Sequence, residues 1–156
     1  MGAADSVRRI MSGQKLAQLA SMSMAGPRVF SVWYAYLPDR DAIIFASNRN
    51  RNHSREWVAD PRVGGTVTGE IPDGLGDKVE AVSFFGEVRE LSGAELTELS
   101  SVYGARWPNA EQMFPLADVE SGTVDMRFYL IEVSEWVLFS EVDFPHSPRQ
   151  SVPVPK

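Results

Sequence analysis

The residues best suited to bind a charged ligand lie between Ser47 and His53, where a strand-like segment leads into a helix-like one. Arg49 and Arg51 carry positive charge, His53 can gain it, and asparagines alternate with them. The first backbone N–H groups of a helix have no partner within the helix, and the helix dipole favours negative charge there. Basic and amide side chains beside such a turn therefore predict an anion-binding site.

Other kinds of catalytic chemistry have little support in the sequence. The chain has no cysteine, which excludes disulfides and thiolate chemistry. Its two histidines, His53 and His146, are far apart and do not form a metal-binding spacing. It contains neither a nucleotide-binding glycine motif nor the G-x-S-x-G motif of serine hydrolases. We therefore predict no metal site, and the sequence assigns no catalytic residue.

Length and charge narrow the possible partners. A chain of 156 residues is expected to form one domain. Its net charge of −6 argues against nonspecific binding to nucleic acid or to an anionic membrane. The N-terminal segment lacks an apolar signal core, and no apolar run approaches about 18 residues. These features predict a cytoplasmic protein with no membrane or nucleic-acid partner.

The pattern of apolar residues predicts a mainly β protein with peripheral helices, of the α+β class. Strands are expected at 15–23, 29–36, 42–47, 63–70, 79–91, 126–133 and 136–142. Helices are expected at 5–13, 52–60 and 92–104, with a short one near 109–114. The strands are closely spaced and have few helices between them, which favours an antiparallel barrel over a doubly wound parallel sheet.

Three local features refine this prediction. Segment 29–36 is apolar at successive positions, as in a central strand buried on both faces. Gly86, in the middle of a long strand, predicts a bulge or a close backbone approach. The boundary of the domain is placed at residue 143, and the proline-rich tail 144–156 is expected to have no regular structure.

Three passages, taken in order, resemble the FMN-binding split-barrel superfamily of pyridoxamine-phosphate-oxidase-like proteins. They are the strand pair 30–34 and 43–47, the loop and helix 47–63, and the strand 82–91 with its central glycine. The chain is most similar to the small YhbP-like bacterial branch. The resemblance implies a six-stranded antiparallel split barrel over 1–143. It also implies a homodimer that holds FMN at the subunit interface.

The resemblance also implies which residues bind the cofactor. Four would surround the phosphate and four would contact the ring: Ser47, Arg51, Asn52 and His53 at the phosphate, and Ser31, Val32, Trp33 and Trp136 at the ring. Arginine offers a planar fork of donors that suits a phosphate, and serine and asparagine add hydrogen bonds. A protonated His53 at the phosphate would make the affinity for FMN fall as the pH rises above about 6.5.

The sequence departs from the well-known oxidases at two places. Those enzymes carry an arginine and a lysine on the second strand and a C-terminal Arg-x-His pair, whereas segment 31–36 has neither cation and no such pair follows Asp125. The resemblance therefore predicts an FMN-dependent oxidoreductase with reduced nicotinamide or a similar small electron donor, without pyridoxamine-phosphate oxidase activity. The alternatives are a flavin- or haem-binding dimer without turnover, and a dimeric scaffold with an empty barrel.

Overall fold

The computed structural model describes residues 1–156 as long antiparallel strands joined by short helices. The strands are β1 (Leu16–Ser23), β2 (Gly26–Leu37), β3 (Ala42–Asn48), β4 (Arg62–Thr68), β5 (Glu80–Glu90), β6 (Met126–Ser140) and β7 (Arg149–Pro153). The helices are α1 (Ala3–Gly13), α2 (Asn52–Ala59), α3 (Gly93–Arg106), α4 (Ala110–Met113) and α5 (Leu116–Ser121). None of these helices has both the length and the apolar character needed to cross a membrane.

The first six strands close into an antiparallel barrel. Their order around it is β3-β2-β1-β4-β5-β6, and the pairing of β3 with β6 completes the circle. Closure gives each of the six strands a neighbour on both sides over part of its length, so the barrel lacks the two fully unpaired edges of an open sheet. The predicted six-stranded barrel with peripheral helices is confirmed.

The last barrel strand differs from the prediction. Instead of two strands separated at 134–135, β6 is one strand of 15 residues. Phe85 pairs with Glu135 and Gly86 pairs with Val133, so Ser134 is an extra residue without a partner on β5. The pair Ser134-Glu135 resembles a turn in sequence but forms part of a β-bulge, and the bulge predicted at Gly86 is confirmed.

The tail also differs from the prediction. Arg149–Pro153 forms β7, which pairs antiparallel with β6 outside the closed barrel. Proline lacks a backbone N–H and is tolerated on an edge strand because one side of that strand needs no partner. Val152 is buried against the barrel, so the expectation of an irregular tail is wrong for these five residues.

One hydrophobic core fills the barrel. Helix α1 adds Val7, Ile10 and Met11 to this core, and the Tyr34 hydroxyl donates a 2.6 Å hydrogen bond to the backbone oxygen of Met11. Trp136 is 1% exposed and donates from Nε1 to Asp41 Oδ1 at 2.9 Å. Helix α2 contributes Trp57, which packs against Phe45 and Tyr129.

A second core lies outside the barrel, beneath α3, α4 and α5. These helices cover β3, β6 and the C-terminal end of β2, where Ala35 and Leu37 are buried. This cover is lost toward the N-terminal end of β2, and Val29 is 73% and Trp33 52% exposed. The prediction that this strand is buried on both faces therefore holds only for its C-terminal end.

Exposed apolar side chains continue from β2 onto the neighbouring strands and form what we call the uncovered face. Its large apolar members are Leu16, Met22, Val29, Trp33 and Phe85. Leu16 pairs with Trp33 across β1 and β2, and Phe85 pairs with Gly64 across β5 and β4. The uncovered face therefore spans four adjacent strands of the barrel.

Candidate functional site

A cavity opens where β2 and β3 separate. The two strands pair from Leu37↔Ala42 to Tyr34↔Phe45, and their residues beyond Tyr34 and Phe45 are not paired with each other. The cavity has a volume of about 740 Å³ and is bounded by residues 27–33 of β2, the end of β3 and the start of α2. Its lining residues are Pro27, Arg28, Val29, Phe30, Ser31, Val32, Trp33, Ala46, Ser47, Asn48, Arg51, Asn52, His53 and Met126.

The β2 wall of the cavity offers backbone hydrogen-bonding groups. The N–H of Tyr34 bonds to Lys15 on the β1 side, and bonded pairs alternate along an antiparallel ladder. The backbone groups of Val29, Ser31 and Trp33 therefore point away from β1, toward the gap that β3 has left. Among these groups, the Trp33 oxygen accepts a 3.2 Å hydrogen bond from the Tyr103 hydroxyl.

The opposite wall of the cavity is the start of α2. Arg51 has extended backbone geometry at the N-cap, and no side chain caps the first turn. The loop before it is held by Asn48, whose Oδ1 accepts from Asn50 N at 2.8 Å and whose backbone oxygen accepts from Ser54 Oγ at 3.0 Å. These bonds hold the first-turn N–H groups beside the cavity, where the side chains of Arg51 and Asn52 are exposed.

His53 is held by an aromatic stack and a hydrogen bond. Its ring lies parallel to Phe30 with centroids 3.8 Å apart, and Nε2 is 3.0 Å from Ser47 Oγ. Burial lowers the pKa of His53 below its usual value, and the nearby positive charge of Arg51 lowers it further. Both effects favour the neutral ring, in contrast to the imidazolium considered from the sequence.

The charge around the cavity is positive although the whole chain is negative. Three basic residues, Arg28, Arg51 and His53, line the cavity, and no aspartate or glutamate does. Arg28 is bonded to Glu56 at 2.7 Å, whereas Arg51 forms no ion pair. Arg49 is bonded to Asp125 at 3.1 Å and does not line the cavity. Arg51 is therefore the unpaired cation of this site.

Comparisons with known proteins depend on structure, because no family model and no curated protein matches the sequence. A heme binding protein from Mycobacterium smegmatis superposes with a TM-score of 0.78 at 17% identity, over 98% of this chain and 58% of that one. A FAD-binding protein from Mesorhizobium loti superposes with a TM-score of 0.64 at 18% identity, over 86% of this chain and 90% of that one.

A protein of the pyridoxinephosphate oxidase family from Clostridium acetobutylicum gives a TM-score of 0.70 at 8% identity, over 97% of this chain and 94% of that one. The fold is therefore a split barrel, as in these proteins. The chain spans 58% of the length of the Mycobacterium smegmatis protein, and identities this low establish the split barrel alone.

The split barrel brings together seven of the eight residues predicted to bind the cofactor. The cavity is lined by Ser31, Val32, Trp33, Ser47, Arg51, Asn52 and His53. Trp136 is the exception, because its side chain is 1% exposed inside the barrel and is absent from the cavity wall. A side chain so deeply buried has no face to place over a ligand, and the prediction for Trp136 is wrong.

The split barrel also adds lining residues that the sequence analysis had not selected. Met126 reaches the cavity because β6 pairs with the end of β3 at Asn48↔Met126, and no local pattern indicates that pairing. Phe30 was part of a predicted strand, and the alternation along that strand places it beside Val32 on the inner side. Its parallel contact with His53 is a tertiary feature.

The lowered pKa of His53 predicts how stability depends on pH. Below about pH 6.5 the unfolded chain takes up a proton on this histidine before the folded chain does, so the free energy of unfolding should fall on acidification. Urea denaturation should show that the free energy of unfolding falls more between pH 8 and pH 5.5 in the wild type than in His53→Gln. His146→Gln, which alters an exposed tail residue, should behave as the wild type. Equal losses in all three proteins would contradict this account of His53.

Proposed function

We propose that the cavity binds FMN and that the protein is an FMN-dependent oxidoreductase. The proposal rests on the two walls of the cavity, which offer different groups to a ligand. One wall has Arg51, which forms no ion pair, at the uncapped start of α2, and the other is an edge of β2 with free backbone groups. A flavin nucleotide has a phosphate for the first wall and a planar ring with a polar edge for the second. The Mesorhizobium loti protein of the same fold is described as FAD-binding, which supports a flavin.

The donor set of the cavity suits this ligand. Arg51 would bind the phosphate through its guanidinium, with Asn52 and the first-turn N–H groups of α2 adding hydrogen bonds. The Ser47–His53 pair would add a hydroxyl and a ring nitrogen. On the other wall, the backbone groups of Ser31 and the N–H of Trp33 would bond the polar edge of the ring.

The bound flavin would supply the redox chemistry, which is the acceptance of hydride from a donor such as reduced nicotinamide. The protein would contribute position and electrostatics. To test turnover, the FMN-loaded protein is mixed anaerobically with NADH or NADPH while flavin absorbance is followed. Loss of the oxidised flavin spectrum, faster than with free FMN, would support an oxidoreductase. A spectrum that stays oxidised with both donors would favour a flavin-binding protein without this activity.

A specific observation also favours a second candidate, a haem-binding protein without turnover. His53 and Met126 line the cavity, and imidazole and thioether are side chains that can ligate haem iron. The visible spectrum of protein purified without added cofactor separates flavin from haem. We expect flavin, because the uncapped start of α2 and the unpaired Arg51 suit its phosphate.

We propose further that two chains form a homodimer through the uncovered face. Monomeric proteins rarely expose a large continuous apolar patch, so this surface is typical of an interface. Val29 and Trp33 belong both to the uncovered face and to the cavity wall. A second copy seated on this face would therefore border the cavity and shield a bound flavin from water.

Val29→Glu should convert the dimer to a monomer, because two copies of a buried charge would face the interface without partners. FMN affinity should fall when the dimer is lost, because the second copy borders the cavity. Val58→Glu is the matched control, since Val58 is 89% exposed on α2 and lies outside the uncovered face. Sedimentation velocity measures whether each variant is a dimer or a monomer. A wild-type monomer, or an unchanged dimer in Val29→Glu, would refute this interface.

A further inference from the structure

The C-terminal end of α3 contacts β2 at the point where that strand changes its pairing partner. Residues 26–33 of β2 pair with β1, and residues 34–37 pair with β3. The two backbone oxygens at this point each accept a hydrogen bond from a side chain of the helix end. The Tyr103 hydroxyl donates to the Trp33 oxygen at 3.2 Å, and the Trp107 indole donates from Nε1 to the Tyr34 oxygen at 2.9 Å. We call Tyr103 and Trp107 the α3 pair.

Both members of the α3 pair have further contacts of their own. Tyr103 is buried in the second core, where its ring packs edge-to-face against Phe128. The Trp107 ring lies edge-to-face against the Trp33 ring, with centroids 5.0 Å apart. On Trp107 lies the guanidinium of Arg106, 4.8 Å from the ring centroid, which also donates to a backbone oxygen just before β1. The α3 pair is therefore a supported contact for Trp33, whose own side chain is half exposed.

The position of Trp33 determines what the β2 wall of the cavity offers to a ligand. The N–H and oxygen of one residue in an antiparallel strand point to the same side, so the Trp33 N–H also points away from β1. Because the Trp33 oxygen is bonded to Tyr103, the N–H is the backbone group of Trp33 that is left for a ligand. This donor suits an acceptor atom on a ring, and a hydrogen bond weakens steeply when its donor is misaligned.

We propose that Tyr103 and Trp107 are positioning residues, which hold Trp33 in place for a flavin ring in the cavity. The ligand in this inference rests on the proposed function. Neither residue lines the cavity, so both act through Trp33. They support the wall that meets the ring and lie on a different element from the phosphate wall, which is the start of α2. Their loss should therefore weaken the binding of FMN and of riboflavin by the same factor.

The first measurement uses the ligand-free protein. The double variant Tyr103→Phe/Trp107→Phe removes both hydrogen-bond donors and keeps an aromatic ring at each position. ¹⁵N relaxation gives the order parameter of the Trp33 backbone amide, which should be about 0.85 in the wild type and fall toward about 0.6 in the double variant. If the double variant does not fold, each single variant should show a smaller fall. An order parameter that stays at the wild-type value would overturn the proposal.

The second measurement is calorimetric titration with FMN and with riboflavin. Both should bind the double variant about tenfold more weakly than the wild type, so that the ratio of the two Kd values stays the same. Arg51→Ala, by contrast, should weaken the binding of FMN alone. Unchanged affinity for both flavins in the double variant, or a loss confined to FMN, would overturn a role of the α3 pair at the ring.

Trp136→Phe is the control for general loss of stability. Its indole also donates at 2.9 Å, to Asp41 Oδ1, but it is buried inside the barrel and does not line the cavity. This variant should melt at a lower temperature and bind both flavins within about twofold of the wild type. Equal losses of affinity in Trp136→Phe would overturn the proposal. If the wild type bound neither flavin, the proposed function would fail, and the Trp33 order parameter would still decide whether the α3 pair fixes this wall.

Discussion

Arg51→Ala should weaken FMN binding about 10- to 100-fold. Arg51 is the one cation lining the cavity that has no ion pair, so it should provide most of the charge that meets the phosphate. A hydrogen bond to a charged group contributes about 1.5–3 kcal/mol, and each 1.4 kcal/mol is about a factor of ten in Kd. Quenching of flavin fluorescence during titration of the apoprotein measures the change.

The control for this variant is Arg55→Ala. Arg55 lies one turn further along the same helix and carries the same charge, but it does not line the cofactor cavity. Its removal should change FMN affinity less than about threefold, through long-range electrostatics only. Riboflavin, which lacks the phosphate, should bind the wild type and Arg51→Ala equally. Similar losses of FMN affinity in Arg51→Ala and Arg55→Ala would show that the phosphate does not lie at Arg51.

Gly86→Ala should cause the largest loss of stability among single-methyl additions in the barrel. A Cβ at Gly86 would overlap the backbone oxygen of Glu132 and lie 3.1 Å from Val133 Cα. Those atoms belong to the paired backbone of β6, so relief requires the strands to separate at the bulge. We expect a loss of about 3 kcal/mol, which lowers Tm by roughly 6–12 °C. Differential scanning calorimetry measures the change in Tm.

Gly104→Ala is the matched control for the added methyl group. A Cβ at Gly104 meets no atom within 4 Å, and the residue lies inside α3, where alanine favours the helix. Its Tm should therefore stay unchanged or rise. If Gly86→Ala were as stable as the wild type, the tight packing of β5 against β6 at this bulge would be refuted.

The barrel could be predicted from sequence because most of its strands have a local signal. Runs such as 42–47 are rich in β-formers and end at turn residues, and helices are too few for a parallel sheet. The continuity of β6 could not be predicted, because Ser134-Glu135 has the same composition as a turn. It forms a bulge only because Gly86 on the neighbouring strand allows the two backbones to approach closely.

The same bulge places Trp136 inside the barrel. Ile131 and Val133 point into the barrel, and strict alternation would then place residue 136 outside. The extra residue Ser134 reverses the alternation, so that Trp136 and Leu138 point inward and are buried. By contrast, the grouping of Ser47 with Arg51, Asn52 and His53 is local in sequence, and the cavity contains all four.

Calorimetric titration of the apoprotein with FMN and with riboflavin is the most direct test of the central claim. The account predicts saturable binding of one FMN per chain, with riboflavin at least about tenfold weaker because it lacks the group that Arg51 binds. Absence of FMN binding by the folded protein, or equal affinity for the two flavins, would contradict the proposed site.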